Sequence, residues 1–341
     1  MPHLVKLLMA ASLLTLAGSL AASLAPESAP AYHSEPSIPG ADGRWDLVSF
    51  DAAHHRILIA RGDAVTVVDV ATNDIRSIGT PARGHAALAI PGTKLVAVTS
   101  GQDDSLRLVD ADDGHETARI SVGKNPDAAI YDPKSRHLLV MNAKGGTISV
   151  VDPVAARVVG TIAVKPGLEL ATMVGPRLLA VNDEEASEIE LIDLAHGTAM
   201  PPIALPGCEG PTGIAYDAHS MLLLSACANG QAALVNMRAR NLERLLPIGK
   251  GPDTVIFDEH RRRFIVPCGK SGTLVVFAVS NRGSVTRLAD VPTEVGARTG
   301  AMDEASGRIY LPTARFQPAE PGMRPQPIPG SFHILVLNPT D

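Results

Sequence analysis

Seven polar or charged residues recur about 40 residues apart along the chain, each at the start of a short apolar run. Several of these runs end in an aspartate five residues later, as in Tyr131-Asp132 and Phe257-Asp258. The recurring residues are Asp46, His85, Asp127, Glu169, Thr212, Asp253 and Arg298. Carboxylates and imidazoles bind divalent cations, and a histidine beside a carboxylate suits general acid–base chemistry. These seven residues are therefore the first candidates for a functional site.

Three interpretations of this set stay open. The simplest is a solvent-exposed surface on which polar residues have no specific function. The second is a site for a cation, a polar ligand or a peptide, in which Asp46, His85, Asp127, Glu169 and Asp253 could bind Ca, Mn, Zn or Fe. No local motif such as His-x-His or Cys-x-x-Cys accompanies them, so we predict no metal and no resident cofactor, with a bound divalent cation as the alternative. The third is hydrolysis, with His85 and either Asp46 or Asp127 as the acid–base pair.

The elements that must position these residues are clearest in the segment 123–162. It contains four short apolar runs, 128–131, 137–141, 147–151 and 158–162, separated by Asp-Pro, Asn and Gly turns. Runs of four or five residues rich in Val and Ile and bounded by such residues are typical of β-strands. Four strands in about 40 residues predict one blade of a β-propeller.

Seven copies of this unit can be aligned, which predicts an all-β, seven-bladed propeller of four-stranded antiparallel blades. The aspartate that closes the third strand recurs as Asp69, Asp110, Asp152 and Asp193, and we expect it to accept backbone amides in a tight turn. The chain stops after the third strand of the last unit. The segment 35–40 aligns with the outer strand at 245–249, so an N-terminal strand is predicted to complete the last blade.

In a propeller, the loop entering each inner strand and the loop leaving each second strand emerge on one face, around the central channel. The seven recurring residues, hereafter the polar ring, are therefore predicted to line the channel mouth, a default place for binding. The second-strand ends add Asn142 and Asn182 as candidate ligand-binding residues.

The three cysteines are the next candidates. Cys208 lies in the loop entering blade five, and Cys227 ends the second strand of the same blade. A Cys208–Cys227 disulfide is the preferred pairing, which suits an oxidising compartment. In that case Cys268 is unpaired. The alternatives are a Cys227–Cys268 disulfide between neighbouring blades and three free thiols.

A proline-rich insertion separates the second and third strands of blade seven, at 316–330. Its prolines favour stiff, extended backbone, and the loop is predicted to project on the face of the polar ring. It is either a solvated excursion or a lid or docking loop that makes contact through Arg315, Phe316 and Arg324.

The repeat resembles the YVTN repeat of secreted bacterial β-propellers (YncE-like proteins). The matching motifs are Gly123-Lys-Asn-Pro126, Leu139-Val-Met-Asn142 and Val150-Val-Asp152, and the resemblance covers the chain from about residue 40 to its end. It implies the propeller fold but no single function, since that family hosts binding proteins and enzyme subunits. Blade two lacks the proline, blade four reads Pro166-Gly-Leu-Glu169, and cysteines replace the asparagine in blades five and six.

Composition restricts the function classes. The net charge of −6 and an aromatic content of 3% argue against nucleic acid, which requires a cationic face and stacking residues. Residues 1–25 have Lys6 followed by a short apolar run and small residues, the layout of a signal peptide cleaved near Ala21 or Ala25. A membrane anchor is the weaker alternative because the run is short for a bilayer span. We predict a leader and closing strand at 26–40, a single propeller at 41–341, and a periplasmic or secreted protein with no later transmembrane segment.

The sequence thus predicts an exported, monomeric binding or scaffold protein that recognises a small polar ligand or a protein partner at its channel mouth, without chemistry of its own. The alternatives are a periplasmic hydrolase, for which the lactone-hydrolysing propellers are the nearest comparison, and a non-catalytic subunit of an oxidoreductase.

Overall fold

The computed structural model describes residues 31–318 and 325–340, which form seven four-stranded antiparallel sheets. The predicted all-β, seven-bladed propeller is confirmed. The predicted signal peptide, part of the leader and Arg324 lie outside the described residues. Within the described ranges, no helix is long and apolar enough to cross a bilayer.

The strands follow the chain from the inside of each blade to the outside, and their bounds are as follows. Blade one contains β2 (Val48–Asp51), β3 (Arg56–Ala60), β4 (Val65–Asp69) and β5 (Ile75–Ile78). Blade two contains β6 (Gly84–Ala89), β7 (Leu95–Ser100), β8 (Ser105–Asp110) and β9 (Glu116–Ser121). Blade three contains β10 (Pro126–Asp132), β11 (His137–Asn142), β12 (Thr147–Asp152) and β13 (Arg157–Ala163). Blade four contains β14 (Leu168–Met173), β15 (Leu178–Asp183), β16 (Glu188–Asp193) and β17 (Thr198–Ala204).

The remaining blades have the same plan. Blade five contains β18 (Pro211–Asp217), β19 (Leu222–Cys227), β20 (Gln231–Asn236) and β21 (Asn241–Pro247). Blade six contains β22 (Ile256–Asp258), β23 (Arg263–Cys268), β24 (Thr273–Val279) and β25 (Val285–Pro292). Blade seven contains β26 (Ala301–Asp303), β27 (Arg308–Thr313) and β28 (His333–Pro339), and its outer strand is β1 (Tyr32–Pro39).

The N-terminal strand closes the propeller as predicted. β1 pairs antiparallel with β28, and the register runs from Tyr32 opposite Pro339 to Ile38 opposite Ile334. The first and last described segments of the chain therefore share blade seven, and no blade is left with an unpaired third strand.

Apolar clusters fill the spaces between neighbouring blades. One cluster joins blades one and two through Leu58 and Val98, and another joins blades five and six through Leu234 and Phe264. The other five blade interfaces of the described structure are filled in the same way. Because side chains alternate along a strand, each middle strand packs one face against the preceding blade and the other face against the following blade. The core is therefore a series of blade-to-blade layers around the channel.

The recurring aspartates fix turns, as predicted. Asp132 Oδ1 accepts the amide of Lys134 at 3.0 Å, and Asp152 Oδ1 accepts the amide of Val154 at 2.9 Å. The same bond to an amide two or three residues later is made by Asp51, Asp69, Asp110, Asp193, Asp217, Asp258 and Asp303. These carboxylates are structural, which leaves the polar ring as the candidate for function.

Candidate ligand site at the channel mouth

The polar ring is held together by contacts between neighbouring blades. His85 Nδ1 lies 2.8 Å from Asp46 Oδ2 and 3.2 Å from Asp127 Oδ1, so blade two meets both of its neighbours through one imidazole. On the other side, Arg298 Nε donates to Asp253 Oδ2, and its Nη2 lies 3.7 Å from Asp46 Oδ1. The five residues thus form a continuous series of charged contacts across five blades.

The electrostatics of this series favour a protonated imidazole. Burial alone would lower the pKa of His85, but the hydrogen bond to Asp46 and the negative charges of Asp127 and Asp46 outweigh it and raise the pKa. Burial also raises the pKa of Asp127, to about 6, despite the favourable charge of His85. The pKa of Asp253 is raised by burial as well, against the opposing effect of Arg298.

Glu169 is the least compensated member of the polar ring. Its carboxyl group makes no hydrogen bond or ion pair with a described residue. Burial, followed by the negative charges of Asp127, Glu184, Asp253 and Asp46, raises its pKa to about 9. The ring therefore contains one carboxyl group that stays protonated at neutral pH and can donate a hydrogen bond into the channel.

We expect the substitution Glu169→Gln to become more stabilising as the pH rises. The folded pKa of Glu169 lies above its unfolded value of about 4.3, so the folded state binds the extra proton and stability falls between about pH 4.5 and pH 9. Between these two pKa values the destabilisation grows by up to about 1.4 kcal/mol for each unit of pH. Urea unfolding of wild type and variant at pH 5 and pH 8 measures the difference. Glu185→Gln, an exposed acid on a nearby loop, is the control. An equal effect of Glu169→Gln at both pH values would contradict the expectation.

The other predicted residues do not all reach the mouth. Thr212 lies on β18 and donates through Oγ1 to the Pro252 carbonyl oxygen at 3.1 Å, a link between blades five and six. Asn142 and Asn182, which were predicted to bind a ligand at the mouth, are completely buried and make hydrogen bonds between strands. Asn142 Nδ2 donates to Thr147 Oγ1 at 3.0 Å. Asn182 Nδ2 donates at 2.9 Å to the Thr212 carbonyl oxygen in the next blade.

A cavity of about 600 Å³ opens beside the polar ring. Asp46, His85 and Arg298 form its charged side, and Trp45 lies against Phe316 with their ring centroids 6.3 Å apart. Phe316 pairs with Pro327 in a β-bridge, so the described ends of the proline-rich insertion form part of the cavity wall. Of the residues predicted for a lid or docking loop, Phe316 contacts the mouth and Arg315 is exposed.

Two arginines that the sequence analysis missed also line this cavity. Arg44 and Arg83 are exposed and have no ion pair with any described residue. A second cavity of about 710 Å³ shares both arginines and continues outward over blade one. Arg61 lines that second cavity, but its guanidinium already donates to the carbonyl oxygens of Arg44 and Ala41 at 2.6 and 2.8 Å. Arg44 and Arg83 therefore remain as cations available to a ligand.

The cysteines lie away from this cavity. Cys208 and Cys227 are joined in a disulfide with a Cα–Cα distance of 5.4 Å. Cys268 is buried and free, and burial raises the pKa of its thiol to about 11, which makes it a poor nucleophile at neutral pH.

No family model matches the chain, and no curated protein matches it in sequence. Among solved structures, the chain is similar to one from hydrazine synthase of Kuenenia stuttgartiensis, with a TM-score of 0.69 and 16% identity over 82% of this chain and 94% of that one. It is also similar to a chain in a mitotic checkpoint complex, with a TM-score of 0.70 and 12% identity over 99% of this chain and 100% of that one. At such low identities the likeness shows the fold alone. The protein is a seven-bladed β-propeller.

Proposed function

We propose that this protein is an exported binding module that recognises a small polar ligand at its channel mouth. The observation that carries the proposal is the cavity of about 600 Å³, in which unpaired arginines, charged members of the polar ring and two aromatic side chains face the same space. Few, convergent polar groups beside an apolar wall are typical of small-molecule sites.

The cavity chemistry defines the class of ligand. Arg44 and Arg83 can bind an anionic group such as a carboxylate, since neither has an ion pair with a described residue. Asp46 lies deeper and can accept a hydrogen bond from a hydroxyl or amine of the same molecule. Trp45 and Phe316 line the same cavity and offer apolar surface. The ligand is therefore a small organic anion that also carries hydrogen-bond donors.

Two features of the chain support the proposal of export. The N-terminal segment has the layout of a signal peptide, and a disulfide such as Cys208–Cys227 persists in oxidising compartments. Together with the resemblance to YVTN-repeat propellers, this favours a periplasmic or secreted monomer. The alternative occupant of the mouth is an acidic segment of a protein partner.

The proposal is tested with the mature protein and a panel of small organic acids, by thermal unfolding and then calorimetric titration. We expect hydroxy or amino acids of the panel to stabilise the wild type, and the double variant Arg44→Ala/Arg83→Ala to lose at least tenfold in affinity. Arg136→Ala is the matched control, since Arg136 is also exposed, has the same φ of 61° as Arg83, and lies in the turn after β10 on the opposite face. If the wild type and the double variant respond alike to every acid, the proposed site is wrong.

A second candidate function is hydrolysis, favoured by the contacts of His85 with Asp46 and Asp127. His85 Nε2 is buried against Gly101, so the imidazole cannot itself take a proton from a water in the cavity. The base would be Asp127, whose pKa of about 6 is suitable near neutral pH. Hydrolysis of lactones by the wild type and its loss in Asp127→Asn would support this candidate, and no turnover by the wild type would exclude it.

A further inference from the structure

Blade four differs from the other blades at three positions behind the channel mouth. In blade three these positions are Asn142, Thr147 and Ser149, where the Asn142 amide donates to both hydroxyl groups, at 3.0 and 2.9 Å. This is a neutral, hydrogen-bonded triad. The strand registers Asn142 opposite Thr147 and Asp183 opposite Glu188 show that the equivalent residues of blade four are Asp183, Glu188 and Glu190. Three carboxyl groups thus replace an amide and two hydroxyls.

The same positions in the remaining blades hold no such acidic set. They are Arg61, Ala64 and Thr66 in blade one, Ser100, Ser105 and Arg107 in blade two, Cys227, Gln231 and Ala233 in blade five, Cys268, Thr273 and Val275 in blade six, and Thr313, His333 and Leu335 in blade seven. The fold therefore does not require acids here, and their presence in blade four needs a separate explanation.

The three carboxyl groups, hereafter the blade-four triad, converge closely. One oxygen from each of Asp183, Glu188 and Glu190 lies within 4.8 Å of the other two. Asp183 is 0% exposed and Glu190 is 3% exposed. Asp183 Oδ1 accepts the amides of Glu185 and Ala186, but Asp183 Oδ2 is buried without a hydrogen bond. Glu190 Oε1 is also buried without a hydrogen bond. Such oxygens are costly to bury unless a positive group binds them.

The described residues supply only one cation to this triad. Lys165 Nζ pairs with Glu188 and lies 3.5 Å from Glu190 Oε1. Three ionised carboxylates and one ammonium leave two excess negative charges, which equals the charge of one divalent cation. The Lys165 side chain is 54% exposed, so its ammonium can move into solvent when a cation enters.

From this geometry we propose that the blade-four triad binds a calcium-sized divalent cation. All three ligand groups are carboxylates, the preferred ligands of Ca²⁺, which binds oxygens at roughly 2.3–2.6 Å. Two oxygens on opposite sides of Ca²⁺ are thus up to about 5 Å apart, so separations within 4.8 Å need no movement of the strands. Mg²⁺ demands near-ideal octahedral geometry at about 2.1 Å and gives up its waters reluctantly, so a site made only of protein carboxylates suits it less well.

The position of the triad indicates what the cation would do. Asp183 ends β15, Glu188 and Glu190 lie on β16, and Lys165 lies in the connection between blades three and four. Gly167, in the same connection, approaches Asp183 so closely that a Cβ would lie 2.5 Å from Asp183 Oδ1. The bound cation would neutralise the buried acids and stabilise this blade junction, independently of any ligand at the channel mouth.

The test compares the mature protein in EDTA, CaCl₂, MgCl₂ and NaCl at matched ionic strength, by thermal unfolding and calorimetric titration. We expect one Ca²⁺ per chain and a rise in Tm of several degrees once Ca²⁺ exceeds its Kd about 100-fold, with a smaller rise in Mg²⁺. The variant Asp183→Asn/Glu188→Thr/Glu190→Ser, which copies the triad of blade three, should show no Ca²⁺ response. Glu185→Gln removes an exposed acid from the same loop and should respond as the wild type does.

Single substitutions separate a cation site from an ordinary ion-pair cluster. Glu190→Gln should weaken Ca²⁺ binding at least tenfold, yet raise the Tm in EDTA because it removes one of the buried like charges. Lys165→Met should strengthen Ca²⁺ binding several-fold and lower the Tm in EDTA. A wild-type response that is equal in CaCl₂, MgCl₂ and NaCl would overturn the proposal. A Glu190→Gln variant with a lower Tm in EDTA and an unchanged Ca²⁺ response would also overturn it. That result would show that the triad only forms ion pairs with Lys165.

Discussion

Replacing Tyr32 with alanine is expected to lower the free energy of unfolding by about 3–5 kcal/mol, the range for removing a buried aromatic ring. Tyr32 begins β1 and is 1% exposed. Its ring belongs to the apolar cluster between blades six and seven, together with Leu274 and Leu337. The substitution therefore creates a void where the closing strand meets two blades. Urea unfolding with a cooperative transition would measure the loss.

Two further substitutions in β1 show whether the loss of stability in Tyr32→Ala comes from the packing of the closing strand. Tyr32→Phe retains the ring and should cost about 1 kcal/mol or less, whereas Ser34→Ala on the exposed face of β1 should have almost no effect. Hydrogen exchange should also show that the amides of β28 lose protection in Tyr32→Ala before those of β11 in blade three, because β28 pairs with β1. If Tyr32→Ala costs no more than Ser34→Ala, the closing strand contributes little to stability.

The closure itself could be predicted from the sequence, and the reason is the repeat. The segment 35–40 matches the outer strand of another unit, and in the structure β1 pairs with β28 as the outer strand of blade seven. The match of 35–40 to an outer strand was correct to within a few residues, since β1 covers Tyr32–Pro39. Turn aspartates such as Asp132 were equally predictable, because their hydrogen bonds are local.

The direction of the Asn142 and Asn182 side chains could not be predicted from the repeat. Asn142 ends its second strand and Asn182 lies one residue before the end of its own, but alignment cannot say which way such side chains point. Asn142 is held inside its blade by two hydroxyls on the next strand, and Asn182 is held by carbonyl oxygens of blade five. Both arrangements depend on cross-strand neighbours that the spacing of the repeat does not describe.

The polar ring was predictable as a set, but its pairing was not. His85 could have met Asp46 or Asp127, and the structure places it within 3.2 Å of both. The channel radius decides this contact, and no single repeat contains that information. Arg44 and Arg83 were missed because they lie in loops outside the periodic pattern. Arg83, two residues before His85, could have been found by asking which cations flank the polar ring.

A second large effect is expected from Asp217→Ala, which should lower the free energy of unfolding by roughly 3–5 kcal/mol. Asp217 is 1% exposed and accepts two bonds from Arg262, Nη1 to Oδ1 at 2.8 Å and Nη2 to Oδ2 at 2.6 Å. Asp217 ends the first strand of blade five, and Arg262 precedes the second strand of blade six. The pair therefore joins two blades, and losing the carboxylate leaves a largely buried guanidinium without its counter-charge.

Asp303 provides the matched control within the same repeat. It holds the equivalent position in blade seven and accepts bonds from Ala305 N and Ser306 Oγ of its own turn, and no arginine among the described residues pairs with it. Asp303→Ala removes only turn hydrogen bonds, so about 1 kcal/mol is expected. The double variant Asp217→Ala/Arg262→Ala should be more stable than Asp217→Ala alone, because the unpaired guanidinium is gone. Equal losses for Asp217→Ala and Asp303→Ala in urea unfolding would mean that the turn, and not the contact between blades, accounts for the stabilisation.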